Sequence, residues 1–400
     1  MDSREQSLAV KISLPSSKSI SNRLLLLRKV SGVSFSIHGI SEADDTVRMN
    51  ELLENLSPVV NAMDGGTTLR FLLPFLCMLP GEFLLTGTER MQERPIKELV
   101  DALVSLGADI RYVEKSGYPP LLITGGSLHG GDVFIDPSRS SQFVSALLLV
   151  APFLKGGLRL RLSMHPVSAT YIEMTLKTLS YFSIAYQQSS DTIDILPQTI
   201  APRDITVEAD WSAAAFWFQL AALLPGRTFI LKDLCESGWQ GDQAALCHFE
   251  KMGVKAIRSE EGISICSDGA PSHGKEWYFD LNDTPDLAPA IILTVVGLRS
   301  KAIFKGLEHL RYKESDRVEI IAGYIRSCGV TMVHEDDVWK LDATNAIRSK
   351  LVIDPHNDHR LAMSFAMLSV AGWPVSVIHP TVVSKSYPNF WDEVGKVQAL

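Results

Sequence analysis

The feature that most constrains this chain is a recurring pattern of amphipathic helix, glycine and short apolar strand. Apolar residues at helical spacing precede Gly107, Gly253 and Gly329, and a strand-like run follows each glycine. Glycine ends many helices because it adopts a left-handed backbone without strain. Several breaks lie about 75 residues apart, or near twice that, which favours duplicated α/β units over unrelated helix–strand joints. A fourth copy, at 174–181, lacks the glycine, and a fifth is predicted at 49–56.

Composition narrows the class of protein. The chain has 400 residues, 46% hydrophobic and 21% charged, which indicates two or three globular domains and excludes a disordered or collagen-like chain. A net charge of −8 argues against general nucleic-acid binding. Five scattered cysteines without a CxxC pair argue against a disulfide framework. The apolar stretches are shorter than the ~20 residues of a membrane helix, and the first residues lack a signal-peptide pattern, so we expect a cytoplasmic protein with no membrane partner.

Seven polar motifs at loop-to-helix transitions carry the chemical information: LPSSKSISNR, DGGTTLR, RMQERP, SRSSQ, RYKESDR, NDHR and SKSYP. Each alone could be a helix cap or a surface ion-pair ladder. Arg90 and Arg94, for example, fit either an anion clamp or such a ladder. Together the motifs concentrate cations in an acidic protein, which predicts a site for a multiply charged anion. These cations are Lys18, Arg23, Arg90, Lys313, Arg317, Arg360 and Lys385.

Other site classes are disfavoured. The first motif lacks the glycines of a Walker A loop, and no GxGxxG or Ser-His-Asp elbow is present. His356, Asp358 and His359 invite a metal interpretation, but no further spaced ligand group accompanies them.

With these motifs in this order, the sequence resembles the EPSP synthase family, the 3-phosphoshikimate 1-carboxyvinyltransferases. The resemblance covers almost the whole chain and also includes LTGTERMQERP, SATY and TPDLAPA. It implies an α/β fold of two lobes, each of about three βαβαββ repeats around a pseudo-three-fold axis. One lobe would comprise residues 1–14 and 209–400 and the other residues 15–208, with the active site in the cleft between them.

The resemblance also implies a reaction and its partners. Members of the family transfer the enolpyruvyl group of phosphoenolpyruvate to the 5-hydroxyl of shikimate 3-phosphate and release phosphate, in aromatic amino acid biosynthesis. The expected partners are these two small molecules, with neither a metal nor another cofactor and no nucleic acid. A monomer is the expected state, and glyphosate is the expected competitor of phosphoenolpyruvate.

The implied site residues follow the motifs. Asp286 matches the proton acceptor, and Glu314 or Lys18 would protonate the phosphoenolpyruvate methylene carbon. The expected contacts of shikimate 3-phosphate are Lys18, Ser19, Arg23, Ser140, Ser141, Gln142, Ser168, Tyr171, Asp286, His309 and Lys313. The expected contacts of phosphoenolpyruvate are Lys18, Gly66, Arg90, Gln142, Arg317, Arg360 and Lys385.

Some positions depart from the family pattern. Asp64 stands where Asn is common, Ser16 replaces a usual Gly, and His309 stands where Asn is frequent. The segment between Asp45 and Asp64 is also short, which predicts a trimmed repeat in the second lobe. Two alternatives stay open: a non-catalytic paralogue that binds shikimate 3-phosphate, and the sister enzyme that acts on UDP-N-acetylglucosamine.

Overall fold

A computed structural model describes residues 9–164, 166–269 and 274–399 of the chain. The first eight residues of the predicted 1–14 segment lie outside the described residues. The chain divides into two compact units. Unit 1 contains the N-terminal segment up to Ser17 and everything from Glu208 onward, and unit 2 contains Lys18–Val207. The sequence predicts residues 1–14 plus 209–400 for the lobe that corresponds to unit 1, and residues 15–208 for the lobe that corresponds to unit 2.

Several helices begin within the polar motifs, because these motifs supply hydroxyl, carboxyl or glycine residues that suit a helix start. In chain order they are α1 (Lys18–Ser31), α2 (Asp44–Glu54), α3 (Gly66–Met78), α4 (Glu89–Gln92), α5 (Lys97–Ser105), α6 (Ser141–Val150), α7 (Ala169–Tyr181), α8 (Trp211–Leu223), α9 (Ala245–Lys251), α10 (Ala288–Gly297), α11 (Arg317–Arg326), α12 (His359–Val370) and α13 (Phe390–Gln398).

The strands are short, and many alternate buried and exposed residues, which is the pattern of a sheet covered on one face. They are β1 (Val10–Ser13), β2 (Ile37–His38), β3 (Val59–Asn61), β4 (Gly81–Thr86), β5 (Asp109–Tyr112), β6 (Leu121–Gly125), β7 (Gly131–Ile135), β8 (Leu158–Leu162), β9 (Gln187–Gln188), β10 (Thr192–Ile195), β11 (Ile205–Thr206), β12 (Thr228–Lys232), β13 (Val254–Ser259), β14 (Gly262–Ser267), β15 (Glu276–Asp280), β16 (Lys301–Lys305), β17 (Thr331–Glu335), β18 (Val338–Asp342), β19 (Leu351–Ile353) and β20 (Val375–Val377).

Each unit contains the same set of sheets among its described residues. Unit 1 has the four-stranded sheets β1-β12-β14-β13 and β15-β16-β18-β17 and the pair β19-β20. Unit 2 has β3-β4-β6-β5, β7-β8-β10-β9 and the pair β11-β2. Every four-stranded sheet joins one parallel pair to an antiparallel hairpin, as in β3-β4 followed by β4-β6-β5. The predicted α/β fold built from repeated units is therefore confirmed.

The glycines of the recurring pattern adopt the conformation that the sequence predicts. Gly107, Gly253 and Gly329 have φ values of 91°, 91° and 73°. Each follows a helix and precedes the antiparallel strand β5, β13 or β17. In the copy without glycine, Ser183 takes this place with φ of 64°. The residue that follows the helix therefore adopts a positive φ in all four copies, and in one copy this residue is a serine.

The fifth predicted copy has a different continuation. After α2 the chain enters β3, which pairs in parallel with β4 of the next sheet. No antiparallel hairpin intervenes, so β2 pairs only with β11 among the described strands. The segment between Asp45 and Asp64 contains only most of α2 and the strand β3, and unit 1 has a comparable two-stranded pair in β19-β20.

Each unit has a helical core beneath its sheets. In unit 1, α8 packs against α10 and α12, and nearly all of α8 is buried, as its all-round apolar sequence predicts. In unit 2, α3 and α6 pack on each other and on α1. No helix in the described part of the chain is long and apolar enough to cross a membrane.

Candidate active site

In unit 2, the first turns of four helices carry the candidate residues. The helices α1, α3, α6 and α7 contain no acidic residue in their first turns, whereas α2, α4 and α5 do. Free N–H groups and the helix dipole make such N-termini favourable for anions. Hydrogen bonds join α3 to α6 through Thr67 and Gln142, and α1 to α7 through Arg23 and Tyr171. This part of unit 2 is therefore suited to an anionic ligand.

Lys18 begins α1 and lies against α2. Its Nζ is 2.8 Å from Asp45 Oδ2, and both side chains are largely buried. The backbone oxygen of Asp45 also accepts a hydrogen bond from Thr68 Oγ1 at 3.2 Å, which connects α2 to α3. Sequence reasoning missed Asp45 as the partner of Lys18. The Lys18 ammonium group is thus held in place by one carboxylate.

Arg23 joins α1 to α6 and α7. It is 2% exposed, and its guanidinium donates to Thr175 Oγ1 at 2.8 Å and to the Tyr171 backbone oxygen at 2.9 Å. It also donates to the Ser19 backbone oxygen at 2.8 Å and to Ser145 Oγ at 3.3 Å. Burial lowers its pKa to about 10, so it stays charged at neutral pH. In this structure Arg23 binds protein groups and fixes the positions of three helix starts.

Gly66 lies directly against two guanidinium groups. A Cβ atom at this position would be 2.6 Å from Arg94 Nη1 and 2.8 Å from Arg70 Nη1. Arg70 donates to Gln142 Oε1 at 2.7 Å and to the Pro95 backbone oxygen at 3.3 Å. The absent side chain of Gly66 thus lets the start of α3 approach two arginines.

Arg94, and not the predicted Arg90, is the arginine that lies beside Gly66. Arg94 is 5% exposed, its Nε has no hydrogen-bond partner among the described residues, and its Nη1 contacts Met91 Sδ at 3.8 Å. Arg90 is 38% exposed and pairs with Glu93 at 2.9 Å. A buried guanidinium without a carboxylate is a strong candidate for binding an anion. The RMQERP motif contained this residue, but its spacing could not tell which arginine turns inward.

The starts of α6 and α7 hold the remaining candidates of unit 2. Ser140 caps α6 by accepting from the Gln142 backbone N–H at 3.3 Å, and Ser141 is buried. Gln142 Nε2 donates to Thr67 Oγ1 at 2.9 Å, which ties α6 to α3. Ser168 precedes α7 with φ of 55°, a left-handed conformation that is uncommon outside glycine. The Tyr171 ring lies 6.0 Å from the Arg23 guanidinium.

In unit 1, a buried arginine organises the second group of candidates. Arg317 begins α11, is 1% exposed and binds three carboxylates. Its contacts are with Asp358 Oδ2 at 2.8 Å, Asp286 Oδ1 at 2.9 Å and Glu314 Oε2 at 2.7 Å. Although burial opposes its charge, these carboxylates raise its pKa above the ordinary value, Asp358 most strongly. Asp358 also caps α12 by accepting from the Arg360 backbone N–H at 3.0 Å.

Asp286 is bound from both sides. Its Oδ1 accepts from Arg317, and its Oδ2 accepts from Arg360 Nη2 at 2.8 Å. Lys313 Nζ lies 3.8 Å from Oδ1. Burial would raise the pKa of this carboxyl, but the cations, Arg360 foremost, hold it well below its usual range. Asp286 is therefore an ionised carboxylate enclosed by cations, and in this state it is a weak base.

His309 and Lys313 lie beside this carboxylate. His309 is 6% exposed, and its Nε2 has no hydrogen-bond partner among the described residues. Burial and the neighbouring charge of Lys313 lower its pKa to about 3, so its imidazole is neutral. Burial lowers the pKa of Lys313 as well.

Lys385 Nζ, also in unit 1, donates to the Asn357 backbone oxygen at 3.0 Å. In the described parts of both units, no three His, Cys, Asp or Glu residues form a group suited to a metal.

Comparison with known proteins identifies the family. The profile of EPSP synthase (3-phosphoshikimate 1-carboxyvinyltransferase) matches residues 57–394. A curated 3-phosphoshikimate 1-carboxyvinyltransferase of Bacteroides fragilis is 38% identical over 388 residues, covering 96% of this chain and 94% of its own. One from Methanosphaerula palustris is 34% identical over 411 residues, with 95% of each chain covered.

Solved structures share the fold. EPSP synthase from Acinetobacter baumannii superposes with a TM-score of 0.75 at 20% identity, covering 98% of this chain and 96% of its own. The enolpyruvyl transferase NikO from Streptomyces tendae superposes with a TM-score of 0.70 at 14% identity, covering 98% and 95%. The fold is thus that of enolpyruvyl transferases. With the sequence matches above, the chain belongs to the EPSP synthase family, as the motifs predicted.

Proposed function

We propose that this protein transfers the enolpyruvyl group of phosphoenolpyruvate to the 5-hydroxyl of shikimate 3-phosphate. The observation that carries the proposal is Asp286, an ionised carboxylate bound by Arg317 and Arg360 beside Glu314. A carboxylate among cations provides both a proton acceptor for a hydroxyl and positive charge for an anionic leaving group. The curated relatives carry the name of this same activity.

The reaction is an addition followed by an elimination. The 5-hydroxyl oxygen attacks C2 of phosphoenolpyruvate and gives up its proton to Asp286, while Glu314 or Lys18 protonates C3 to form a methyl group. The resulting tetrahedral intermediate then loses phosphate and one methyl proton, which restores the double bond. Arginine and lysine side chains stabilise the phosphate as its charge develops.

Asp286 needs a change of environment before it can accept a proton. In the structure, Arg317 and Arg360 keep its pKa far too low for a good base. Phosphoenolpyruvate carries a carboxylate and a phosphate that compete for these guanidiniums. We propose that its binding withdraws the arginines from Asp286 and so raises the basicity of the carboxylate when the substrate is present.

We propose that residues of both units act on the same two substrates. In this assignment Gly66, Arg70 and Arg94 of unit 2 and Arg317, Arg360 and Lys385 of unit 1 bind the phosphoenolpyruvate anion. Lys18, Ser19, Ser140, Ser141, Gln142, Ser168, Tyr171, His309 and Lys313 remain the proposed contacts of shikimate 3-phosphate, with Arg23 positioning the helix starts beneath them. Arg94 takes the role that the sequence assigned to Arg90.

The direct test is phosphate release from phosphoenolpyruvate, with and without shikimate 3-phosphate, in the presence of a chelator. We expect release that requires shikimate 3-phosphate and does not respond to the chelator. Release with UDP-N-acetylglucosamine in place of shikimate 3-phosphate would establish the sister activity instead. Binding of shikimate 3-phosphate by calorimetry without any release would establish the non-catalytic paralogue.

Replacing Gly66 by alanine should weaken phosphoenolpyruvate binding. The added methyl group would meet the ends of the Arg94 and Arg70 side chains. These ends are flexible, so the protein should fold while both guanidiniums shift from their positions. We expect the KM for phosphoenolpyruvate to rise about tenfold or more, equivalent to roughly 1.4 kcal/mol, and glyphosate inhibition to weaken. Steady-state kinetics measures both, and Gly323→Ala, where nothing lies within 4 Å of the added atom, is the matched control.

Arg94 and Arg90 should differ sharply when each is changed to methionine. Arg94→Met removes a buried donor, and we expect kcat/KM for phosphoenolpyruvate to fall by roughly 10- to 150-fold, about 1.5–3 kcal/mol. Arg90→Met removes a partly exposed ion pair with Glu93 and should change the same ratio by less than about threefold. Equal losses in the two variants would contradict the assignment to Arg94.

A further inference from the structure

Asp242 is a buried carboxyl group of unit 1 that the proposed chemistry does not use. It lies in a short 3₁₀ turn, Gly241–Ala244, and is 3% exposed. Its Oδ2 accepts a hydrogen bond from Ser212 Oγ, in the first turn of α8. Its Oδ1 is buried and has no hydrogen-bond partner among the described residues. Burial of a carboxyl oxygen that lacks a hydrogen bond favours the protonated, neutral form of the group.

Gln240, which directly precedes this turn, holds it in place. Gln240 Oε1 accepts from the Trp211 backbone N–H at 3.0 Å, and Gln240 Nε2 donates to the Ala209 backbone oxygen at 2.7 Å and to Glu208 Oε1 at 2.8 Å. These bonds fix the turn against the start of α8. Asp242 is therefore unable to relieve its burial by moving into water at low cost.

Charged groups from three elements of unit 1 act on Asp242. Asp210 precedes α8, Asp286 lies in the 3₁₀ turn before α10, and Arg360 lies in the first turn of α12. Burial raises the pKa of Asp242 most, the charge of Asp286 raises it further, and Arg360 and Ser212 oppose them, giving a value of about 7. We therefore expect Asp242 to change its charge near neutral pH.

Resting on the proposed function, we infer that Asp242 is a positioning residue that takes up a proton from solvent when phosphoenolpyruvate binds to Arg360. An anion bound to Arg360 adds negative charge near Asp242. It also weakens the electrostatic attraction between the Arg360 guanidinium and the Asp242 carboxylate. Both effects favour the neutral carboxyl, and the incoming proton binds to a carboxyl oxygen. Because linkage is reciprocal, phosphoenolpyruvate binds more tightly as the pH falls through neutrality.

The test is the pH profile of the KM for phosphoenolpyruvate at saturating shikimate 3-phosphate, in wild type and Asp242→Asn. We expect the wild-type KM to rise with pH by up to about tenfold per unit above neutrality, and the variant to lose this component. The titration of phosphoenolpyruvate itself is common to both proteins and cancels in the ratio. Asp210→Asn keeps a capping side chain on α8 but removes a negative charge that raises the pKa of Asp242, so the bend should remain and move to slightly lower pH. Ser212→Ala, which removes a bond that favours the charged form, should shift the bend to higher pH.

Melting curves supply a readout that needs no ligand. An acid whose pKa is raised from 3.8 to about 7 in the folded state makes the fold less stable as pH rises across that interval. Asp242→Asn should remove this loss, so its melting temperature should exceed that of wild type above neutrality and approach it near pH 4. All seven tryptophans lie in unit 1, so their fluorescence follows the correct unit.

The outcomes are separable. A shifted melting profile together with a flattened KM profile supports the inference. A shifted melting profile with an unchanged KM profile shows that Asp242 titrates but is not coupled to substrate, which overturns it. Identical melting profiles overturn the buried titration itself. Turnover absent from wild type and all variants would overturn the proposed function, and with it the coupling.

Discussion

Asp286→Asn should abolish most turnover while leaving shikimate 3-phosphate bound. Asparagine has nearly the same shape, and its amide oxygen still accepts a hydrogen bond from one of the two arginines, while its NH2 group cannot accept from the other. It has no basicity, however, and cannot remove the proton of the attacking hydroxyl. We expect kcat to fall by about 10²- to 10⁴-fold, the range of general acid–base catalysis. Phosphate release gives kcat, and calorimetry gives the dissociation constant of shikimate 3-phosphate, which should change by only a few-fold.

A neighbouring carboxyl provides the control for this experiment. Asp316 caps α11 by accepting from the Glu319 backbone N–H at 3.3 Å, and asparagine caps helices about as well as aspartate. Asp316→Asn should therefore keep the wild-type kcat. Turnover by Asp286→Asn at the wild-type rate would exclude Asp286 as the proton acceptor and direct attention to Glu314.

Arg317→Met should be the most destabilising single change in the site. The arginine is 1% exposed, and it compensates the fully buried charge of Asp358 together with Glu314 and Asp286. Without Arg317 these three carboxylates remain poorly solvated, and too few cations are left to offset their negative charge. Removing one partner of a buried ion pair costs about 3–5 kcal/mol, and we expect a loss of that size in the free energy of unfolding.

Urea unfolding followed by tryptophan fluorescence measures this loss in unit 1. Arg326→Met, in the last turn of the same helix and exposed to solvent, should change the free energy of unfolding by less than about 0.5 kcal/mol. Arg317→Lys keeps the charge but cannot reach three carboxylates at once, so its loss should fall between the two. A loss for Arg317→Met no larger than that for Arg326→Met would show that the three ion pairs do not support the fold.

Much of the fold was predictable because its determinants are local. The helix starts at Lys18, Gly66 and Ser141 follow from hydroxyl and glycine residues that precede apolar runs. The left-handed residue after each repeated helix could be predicted where it is a glycine, at Gly107, Gly253 and Gly329. Ser183 could not, because nothing in its own identity signals a positive φ. Only alignment with the other repeats reveals the requirement.

The site was predictable to the level of motifs but not of every residue. Arg90 and Arg94 lie in one motif, and their orientation is decided by how α4 and the following turn pack against Gly66. Asp45 and Asp242 carry no sequence signal, since their importance comes from contacts with Lys18 and with Ser212 that the fold creates. Charge partners distant in sequence depend on tertiary structure, so the sequence predicted the cations better than the carboxylates that bind them.

The carboxylates that bind the site cations compete with any incoming anion for the same side chains. Lys18 is occupied by Asp45, and Arg317 and Arg360 are occupied by Asp286. Any incoming anion has to exchange with a carboxylate already in place, so its observed affinity is the difference between two similar interactions. A small monovalent ion such as chloride gains little from that exchange, whereas a ligand with several charged groups displaces several carboxylates at once. These ion pairs thereby favour ligands that carry several negative charges over ligands that carry one.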